Sequence, residues 1–166
     1  MVQSSRPIGV LFLCTGNSAR SILAEAALAR RGGARFQSHS AGSQPKAAPH
    51  PRTLETLERL GYSTAGLRSK SWDEFAGDAA PPIDVVITVC GNAANETCPV
   101  WPGAPVTAHW GVEDPAAFEG PADAERACFE RIHDQLAKKV EALVALDLEA
   151  LDVEARTARI RAIAEV

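Results

Sequence analysis

The stretch IGVLFLCTGNSARS, residues 8–21, joins an apolar run to a turn-forming segment and carries the clearest signal of the fold. The run Ile8–Cys14 shows no alternation of apolar and polar residues, which is typical of a strand buried on both faces of a parallel sheet. The segment after it contains Asn17 and Ser18, either of which can cap a helix over about residues 19–31. The stretch therefore predicts a strand, a tight loop and a helix in that order.

The alternation of strands and helices continues along the chain. We predict further strands over residues 35–40, 83–89 and 105–110, and helices over residues 51–60, 122–146 and 148–166. Strands separated by helices favour an α/β fold, a three-layer sandwich with helices on both faces of a parallel sheet. We expect four strands in the order 2-1-3-4. In that topology ligands bind at the carboxyl ends of strands 1 and 3, where the winding direction reverses.

Composition limits the classes of protein that remain. The chain has 166 residues, 46% of them hydrophobic and 23% charged, which suits one globular domain. We predict a single domain over residues 1–166, with 147–166 as a C-terminal helical extension whose apolar face packs on its own domain or on a partner. The net charge of −4 argues against a nucleic-acid partner. No apolar run is long enough for a membrane span and no signal-like start is present, so we expect a cytoplasmic protein.

The loop between the first strand and helix has the form Cys, five residues, Arg, Ser. Backbone N–H groups at a helix N-terminus bind tetrahedral oxyanions, and the planar fork of Arg20 can bind two oxyanion oxygens at once. The same positive field lowers the pKa of a cysteine from its ordinary value of about 8.5, so we expect Cys14 to be a reactive thiolate. The predicted oxyanion-binding residues are Thr15, Gly16, Asn17, Ser18, Ala19, Arg20 and Ser21.

Three further cysteines need an explanation. Cys90 ends the third predicted strand as Cys14 ends the first, and neighbouring strands lie about 4.8 Å apart, so both thiols should lie at one edge of the sheet. Cys98 follows Cys90 after seven residues. A redox pair, two buried thiols and a zinc site remain open, although structural zinc sites use closer spacings and four ligands. Cys128 falls within a helical pattern, which predicts a packing role.

An acidic residue is expected at the same edge. Asp114 precedes Pro115 in the segment after the fourth predicted strand. A carboxylic acid at that position can protonate a departing oxygen. Glu113 is the adjacent alternative.

Three blocks together resemble one known family. The loop at 14–21 resembles the active-site loop of low-molecular-weight protein tyrosine phosphatases and of the arsenate reductases that share their fold. Residues 88–99 resemble the redox segment of the thioredoxin-coupled arsenate reductases, and residues 109–116 resemble the block that follows it. The resemblance extends from residue 8 to about residue 145 in the same order.

The resemblance implies a low-molecular-weight phosphatase-like fold and reduction of arsenate to arsenite, an arsenic detoxification. It implies a relay of thiols in which Cys14 attacks the substrate while Cys90 and Cys98 form the redox pair. Arg20 would hold the oxyanion and Asp114 would be the acid. The implied partners are arsenate and thioredoxin or another thiol reductant, and no cofactor is implied.

Two alternatives remain. The first is a low-molecular-weight protein tyrosine phosphatase that uses Cys14, Arg20 and Asp114. That branch usually has tyrosines after its Asp-Pro, where this chain has Ala116 and Ala117. The second is a non-enzymatic arsenite-binding or redox-sensing module.

Some reductases that the chain resembles bind potassium beside the loop. Asn17, Glu25 and Ser40 match that site, whereas Lys70 replaces a further acidic ligand. A lysine ammonium can substitute for the cation, so we predict no metal.

Overall fold

The computed structural model describes residues 6–77, 79–90 and 105–166. Four parallel strands form one sheet in the order β2-β1-β3-β4, which confirms the predicted order. The strands are β1 (Ile8–Cys14), β2 (Phe36–Gly42), β3 (Val85–Thr88) and β4 (Val106–His109). β3 begins two residues later than predicted because the Asp84 carboxylate, at 2.8 Å, accepts the N–H of Gly9 in place of a backbone carbonyl.

The helices follow the predicted sequence of elements, with differences at their ends. They are α1 (Arg20–Gly32), α2 (Pro51–Arg59), α3 (Ala122–Val144) and α4 (Val153–Ala162). Short 3-10 helices cover Gly33–Arg35, Trp72–Phe75, Pro115–Ala117, Leu148–Ala150 and Ile163–Glu165. The tail is therefore one helix with a 3-10 turn on each side, rather than one helix from residue 148 to residue 166. In the described ranges, no helix has the length and apolar character needed to cross a membrane.

The absence of polar alternation in β1 reflects burial on both sides of the sheet. Val10 and Phe12 belong to the larger apolar cluster, which includes residues of α1 and α3. Leu11 and Leu13 belong to a smaller cluster on the opposite face, with Phe75 of a 3-10 helix. All four β1 side chains are inaccessible to solvent. The strand that precedes the loop is therefore held rigidly from both faces.

The C-terminal segment packs on the sheet and on α3 of its own chain. Ile160 of α4 is fully buried in the larger cluster, and its carbonyl accepts the indole N–H of Trp110 at 3.0 Å. The guanidinium of Arg161 donates to the carbonyl of Thr107 at 2.9 Å, so α4 covers the outer edge of β4. The buried ammonium of Lys139 donates to the carbonyls of Ala164 and Val166. Burial lowers the pKa of that ammonium.

We expect Ile160→Ala to lower the free energy of unfolding by about 2–5 kcal/mol, because it leaves a cavity in the core. Val153→Ala, on the same helix with a side chain that is 69% exposed, is the matched control and should change it by less than about 0.5 kcal/mol. Urea unfolding followed by circular dichroism measures both. Equal midpoints for the two variants would show that the packing of α4 does not stabilise the fold.

Candidate active site

The loop between β1 and α1 leaves the helix N-terminus without a side-chain cap. The N-cap residue is Ala19, which makes no side-chain hydrogen bond, so the prediction that Asn17 or Ser18 caps α1 is wrong. The amide of Asn17 instead donates to the hydroxyls of Ser21 (2.8 Å) and Ser40 (3.0 Å). The first N–H groups of a helix have no partner within the helix. This N-terminus is therefore suited to bind an anion.

Asn17 also fixes the shape of the loop. Its φ of 46° lies in the left-handed region, which asparagine tolerates better than most residues. Its side-chain oxygen accepts the N–H of Lys70 at 2.9 Å, and its carbonyl accepts the hydroxyl of Ser69 at 2.6 Å. Gly42 allows the close approach of β2, because a Cβ at that position would lie 2.4 Å from the carbonyl oxygen of Thr15.

The thiols of Cys14 and Cys90 lie together at the carboxyl edge of the sheet. Both residues are buried, at 4% and 1% exposure, and the Cys90 thiol lies close enough to raise the pKa of Cys14. Cys14 Sγ accepts the N–H of Asn17 at 3.2 Å and lies 3.0 Å from the hydroxyl oxygen of Ser21. The hydroxyl of Thr15 lies 3.8 Å from Cys90 Sγ. Cys90 therefore lies beside the cysteine that the sequence predicts to be the nucleophile.

The electrostatics of Cys14 differ from the sequence-based expectation. Contact with the Cys90 sulfur and, after it, burial raise the pKa of Cys14 well above its ordinary value, and hydrogen bonds from Ser21 lower it. The expected lowering of this pKa is therefore wrong for this arrangement of side chains. Two thiols this close titrate as a pair, so ionising one opposes ionising the other.

This arrangement predicts two opposite pH shifts. Cys90→Ala removes the largest cause of the raised pKa, so the midpoint for alkylation of Cys14 by iodoacetamide should move to lower pH. Ser21→Ala removes a hydrogen bond that favours the thiolate, so the midpoint should move to higher pH. Mass spectrometry of the peptide that contains Cys14 separates its alkylation from that of the other thiols. An unchanged midpoint in Cys90→Ala would contradict the assigned cause.

The predicted acid lies against the predicted oxyanion ligand. Asp114 Oδ2 is 3.3 Å from Arg20 Nη2, while Asp114 Oδ1 accepts the N–H of Ala116 and caps the 3-10 helix that follows. The other terminal nitrogen of Arg20 donates to the carbonyl of Val112 at 3.3 Å. Glu113 instead pairs with Arg131 of α3 at 2.8 Å. The geometry therefore favours Asp114 over Glu113 as the acid.

The loop, the arginine and the aspartate surround one cavity of about 330 Å³. Its lining comprises Cys14, Thr15, Gly16, Ser18, Ala19, Arg20, Gln44, Lys46, Asp114, Ala116 and Ala117. Asn17 and Ser21, also predicted as oxyanion ligands, lie fully buried behind the loop and support it. Sequence reasoning missed Gln44 and Lys46, because they lie in an irregular segment without a motif.

The two remaining cysteines are Cys98 and Cys128. Cys98 lies outside the described residues, so its position relative to Cys90 stays a prediction. Cys128 is buried on α3, and its sulfur lies 3.6 Å from a guanidinium nitrogen of Arg131. Burial fits the predicted packing role.

Lys70 lies where the family resemblance suggested a substitute for potassium. Its ammonium donates to the carbonyls of Ser40 (2.9 Å) and Arg68 (3.0 Å), and the hydroxyl of Ser40 donates to Glu25 at 2.5 Å. Burial raises the pKa of Glu25, and the positive charge of Lys70 opposes that rise. Lys70 therefore places a positive charge beneath the loop, next to a partly buried carboxyl group. The described part of the chain contains no group of three His, Cys, Asp or Glu side chains suited to a metal ion.

A parallel sheet that ends in an uncapped helix N-terminus, with a cysteine and an arginine at the two ends of the loop, defines a class of oxyanion-binding proteins. The chain belongs to the low molecular weight phosphotyrosine protein phosphatase family, whose model matches residues 9–156.

Individual relatives are more specific. The chain is 32% identical to an arsenate reductase of Halalkalibacterium halodurans over 131 residues, which cover 79% of this chain and 91% of the relative. Its structure is similar to that of an arsenate reductase in the oxidized state, with a TM-score of 0.67, 28% identity, and coverage of 82% of this chain and 96% of the other. A thioredoxin-dependent arsenate reductase of Corynebacterium glutamicum gives a TM-score of 0.56 and 29% identity, covering 81% and 60% of the two chains.

Proposed function

We propose that this chain reduces arsenate to arsenite, an arsenic detoxification reaction, by thiol–disulfide exchange. The observation that carries the proposal is the close approach of the buried Cys14 and Cys90 at the carboxyl ends of the neighbouring strands β1 and β3. Of the cysteines, ester hydrolysis at this loop requires Cys14 alone, whereas reduction requires two electrons and therefore a second thiol. The similarity to arsenate reductases supports the same activity.

The first step joins arsenate to Cys14. The loop N–H groups and Arg20 bind the oxyanion at the start of α1. The Cys14 thiolate, stabilised by Ser21, attacks arsenic and forms a sulfur–arsenic bond. One arsenate oxygen leaves as water when the carboxylic acid of Asp114 donates its proton. Arsenic stays pentavalent in this covalent adduct.

The second step transfers the electrons. The Cys90 thiolate attacks the sulfur of Cys14, a disulfide forms, and the electron pair of the sulfur–arsenic bond passes to arsenic. Arsenite leaves with trivalent arsenic, and the two thiols have supplied both electrons.

The third step regenerates Cys14. Cys98 attacks Cys90, the Cys14 thiolate leaves, and the disulfide now joins Cys90 to Cys98. Thioredoxin or another thiol reductant then reduces that pair. We propose the cytoplasm as the site of the reaction, because its thiol pools stay reduced.

The phosphatase alternative explains Cys14, Arg20 and Asp114 equally well. It leaves the Cys90 thiol, which lies against the nucleophile and raises its pKa, as a bystander or as part of a protective redox pair. A non-enzymatic thiol module gives no role to the contact between Arg20 and Asp114.

Substitution of the acid should slow the first chemical step. General acids typically contribute about 10²–10⁴-fold, so we expect Asp114→Asn to lower the rate of adduct formation by that range. Glu113→Gln is the matched control, since Glu113 pairs with Arg131 outside the cavity lining, and its rate should stay close to that of the wild type. Rapid-quench measurement of arsenite formed in one turnover compares the two. A damaging Glu113→Gln beside a harmless Asp114→Asn would assign the acid to Glu113.

The decisive test of the relay is Cys98→Ser. Cys14 and Cys90 together hold the two electrons that one arsenate needs. A fully reduced Cys98→Ser protein should therefore release about one arsenite per molecule and then stop. Peptide mapping should find a disulfide between Cys14 and Cys90. The measurement is arsenite released per mole of protein, with and without thioredoxin and its reductase.

Other outcomes of this experiment have separate meanings. Sustained thioredoxin-driven turnover by Cys98→Ser would contradict the three-cysteine relay and indicate direct attack by an external thiol. No arsenite from the reduced wild-type protein, together with hydrolysis of aryl phosphates, would assign the chain to the phosphatase alternative. Hydrolysis by Cys98→Ser should equal that of the wild type under reducing conditions, because it does not require Cys98.

A further inference from the structure

A short segment after β2 runs beside the loop and is fixed to it by the backbone. The N–H of Gln44 donates to the carbonyl of Thr15, and the N–H of Lys46 donates to the carbonyl of Gly16, both at 2.9 Å. Both side chains line the cavity that contains Cys14. The position of Lys46 is therefore set by the loop that binds the oxyanion.

The stem of Lys46 packs on the loop at Gly16. A Cβ added to Gly16 would lie 3.3 Å from Cε and 3.4 Å from Cγ of the lysine. Those distances are shorter than most carbon contacts, so the glycine leaves space for the aliphatic stem. Packing of the stem on a fixed surface restricts where the ammonium can go. The lysine is thereby held at the mouth of the cavity.

The negative charge that the proposed reaction brings into the cavity favours a second cation beside Arg20. The reaction places an oxyanion next to a Cys14 thiolate and the carboxyl group of Asp114. Arg20 Nη2 already lies 3.3 Å from Asp114 Oδ2, so the ion pair with Asp114 offsets part of the positive charge of Arg20. Among the described residues that line the cavity, Arg20 and Lys46 are the cationic ones.

We propose that Lys46 is a substrate-binding residue that supplies the second positive charge for an inorganic oxyanion. The proposal rests on the proposed oxyanion chemistry and specifies its substrate class as a small, doubly charged anion. The described part of the cavity lining includes the methyl side chains of Ala116 and Ala117. Those side chains offer little surface for an aryl group, so recognition depends on charge at the mouth of the cavity. An ammonium is a compact point charge suited to that role.

The test compares Lys46→Met with Lys138→Met, which removes the same charge from an exposed position on α3 outside the cavity lining. Lys46→Met should raise the KM for arsenate about tenfold, between the effect of an exposed ion pair and that of a charged hydrogen bond. Its kcat should stay within about twofold, because the ammonium takes no part in the proton or thiol transfers. Lys138→Met should keep both constants, and Lys46→Arg should restore most of the affinity.

Binding measured without turnover separates this inference from the function it rests on. Calorimetry with inorganic phosphate and the fully reduced protein should show about tenfold weaker binding for Lys46→Met than for the wild type. Failure of the wild type to bind phosphate and to reduce arsenate would contradict the proposed function itself. Wild-type activity with equal affinity in Lys46→Met, an equal loss in Lys138→Met, or a lower kcat at unchanged KM would each overturn the role of Lys46.

Discussion

The site depends on one residue, Asn17, and on the hydrogen bonds that hold it in a left-handed conformation. Its backbone N–H donates to the sulfur of Cys14, and its side chain contacts Ser21, Ser40 and the backbone of Lys70. A left-handed residue that is not glycine has a conformational cost, which these contacts offset. Because Asn17 takes these partners, it does not cap α1, and the helix N-terminus stays directed at the cavity. Loss of that conformation would change the geometry of the loop.

Sheet topology adds the second thiol to this loop. β1 and β3 are hydrogen-bonded neighbours, so the residues that follow their carboxyl ends meet at one edge. The Cys90 thiol and, after it, burial make Cys14 costly to ionise, which explains its raised pKa. The same closeness allows attack of one sulfur on the other without movement of the sheet. Placing the two sulfur atoms close together is therefore accompanied by a raised pKa of Cys14.

The segment that contains Asp114, the predicted acid, is supported by two helices. Trp110 precedes it and donates its indole N–H to Ile160 of α4, while Arg131 of α3 pairs with Glu113 beside the acid. α4 also covers the outer edge of β4, so the C-terminal segment supports the strand that leads into the active site. The position of Asp114 is thus coupled to the packing of α4 in the larger apolar cluster.

From the sequence alone follow the α/β class, the order of the strands and the position of the loop predicted to bind an oxyanion. Periodicity and turn chemistry are local properties, and the crossover rule turns them into a topology. Three features of the site became visible in the tertiary structure alone. They are Ala19 at the N-cap in place of Asn17 or Ser18, the raised pKa of Cys14, and the position of Lys46 beside the loop. Each of these depends on contacts between segments distant in the chain, and hydrogen bonding and burial at such contacts leave no periodic signal in a single sequence.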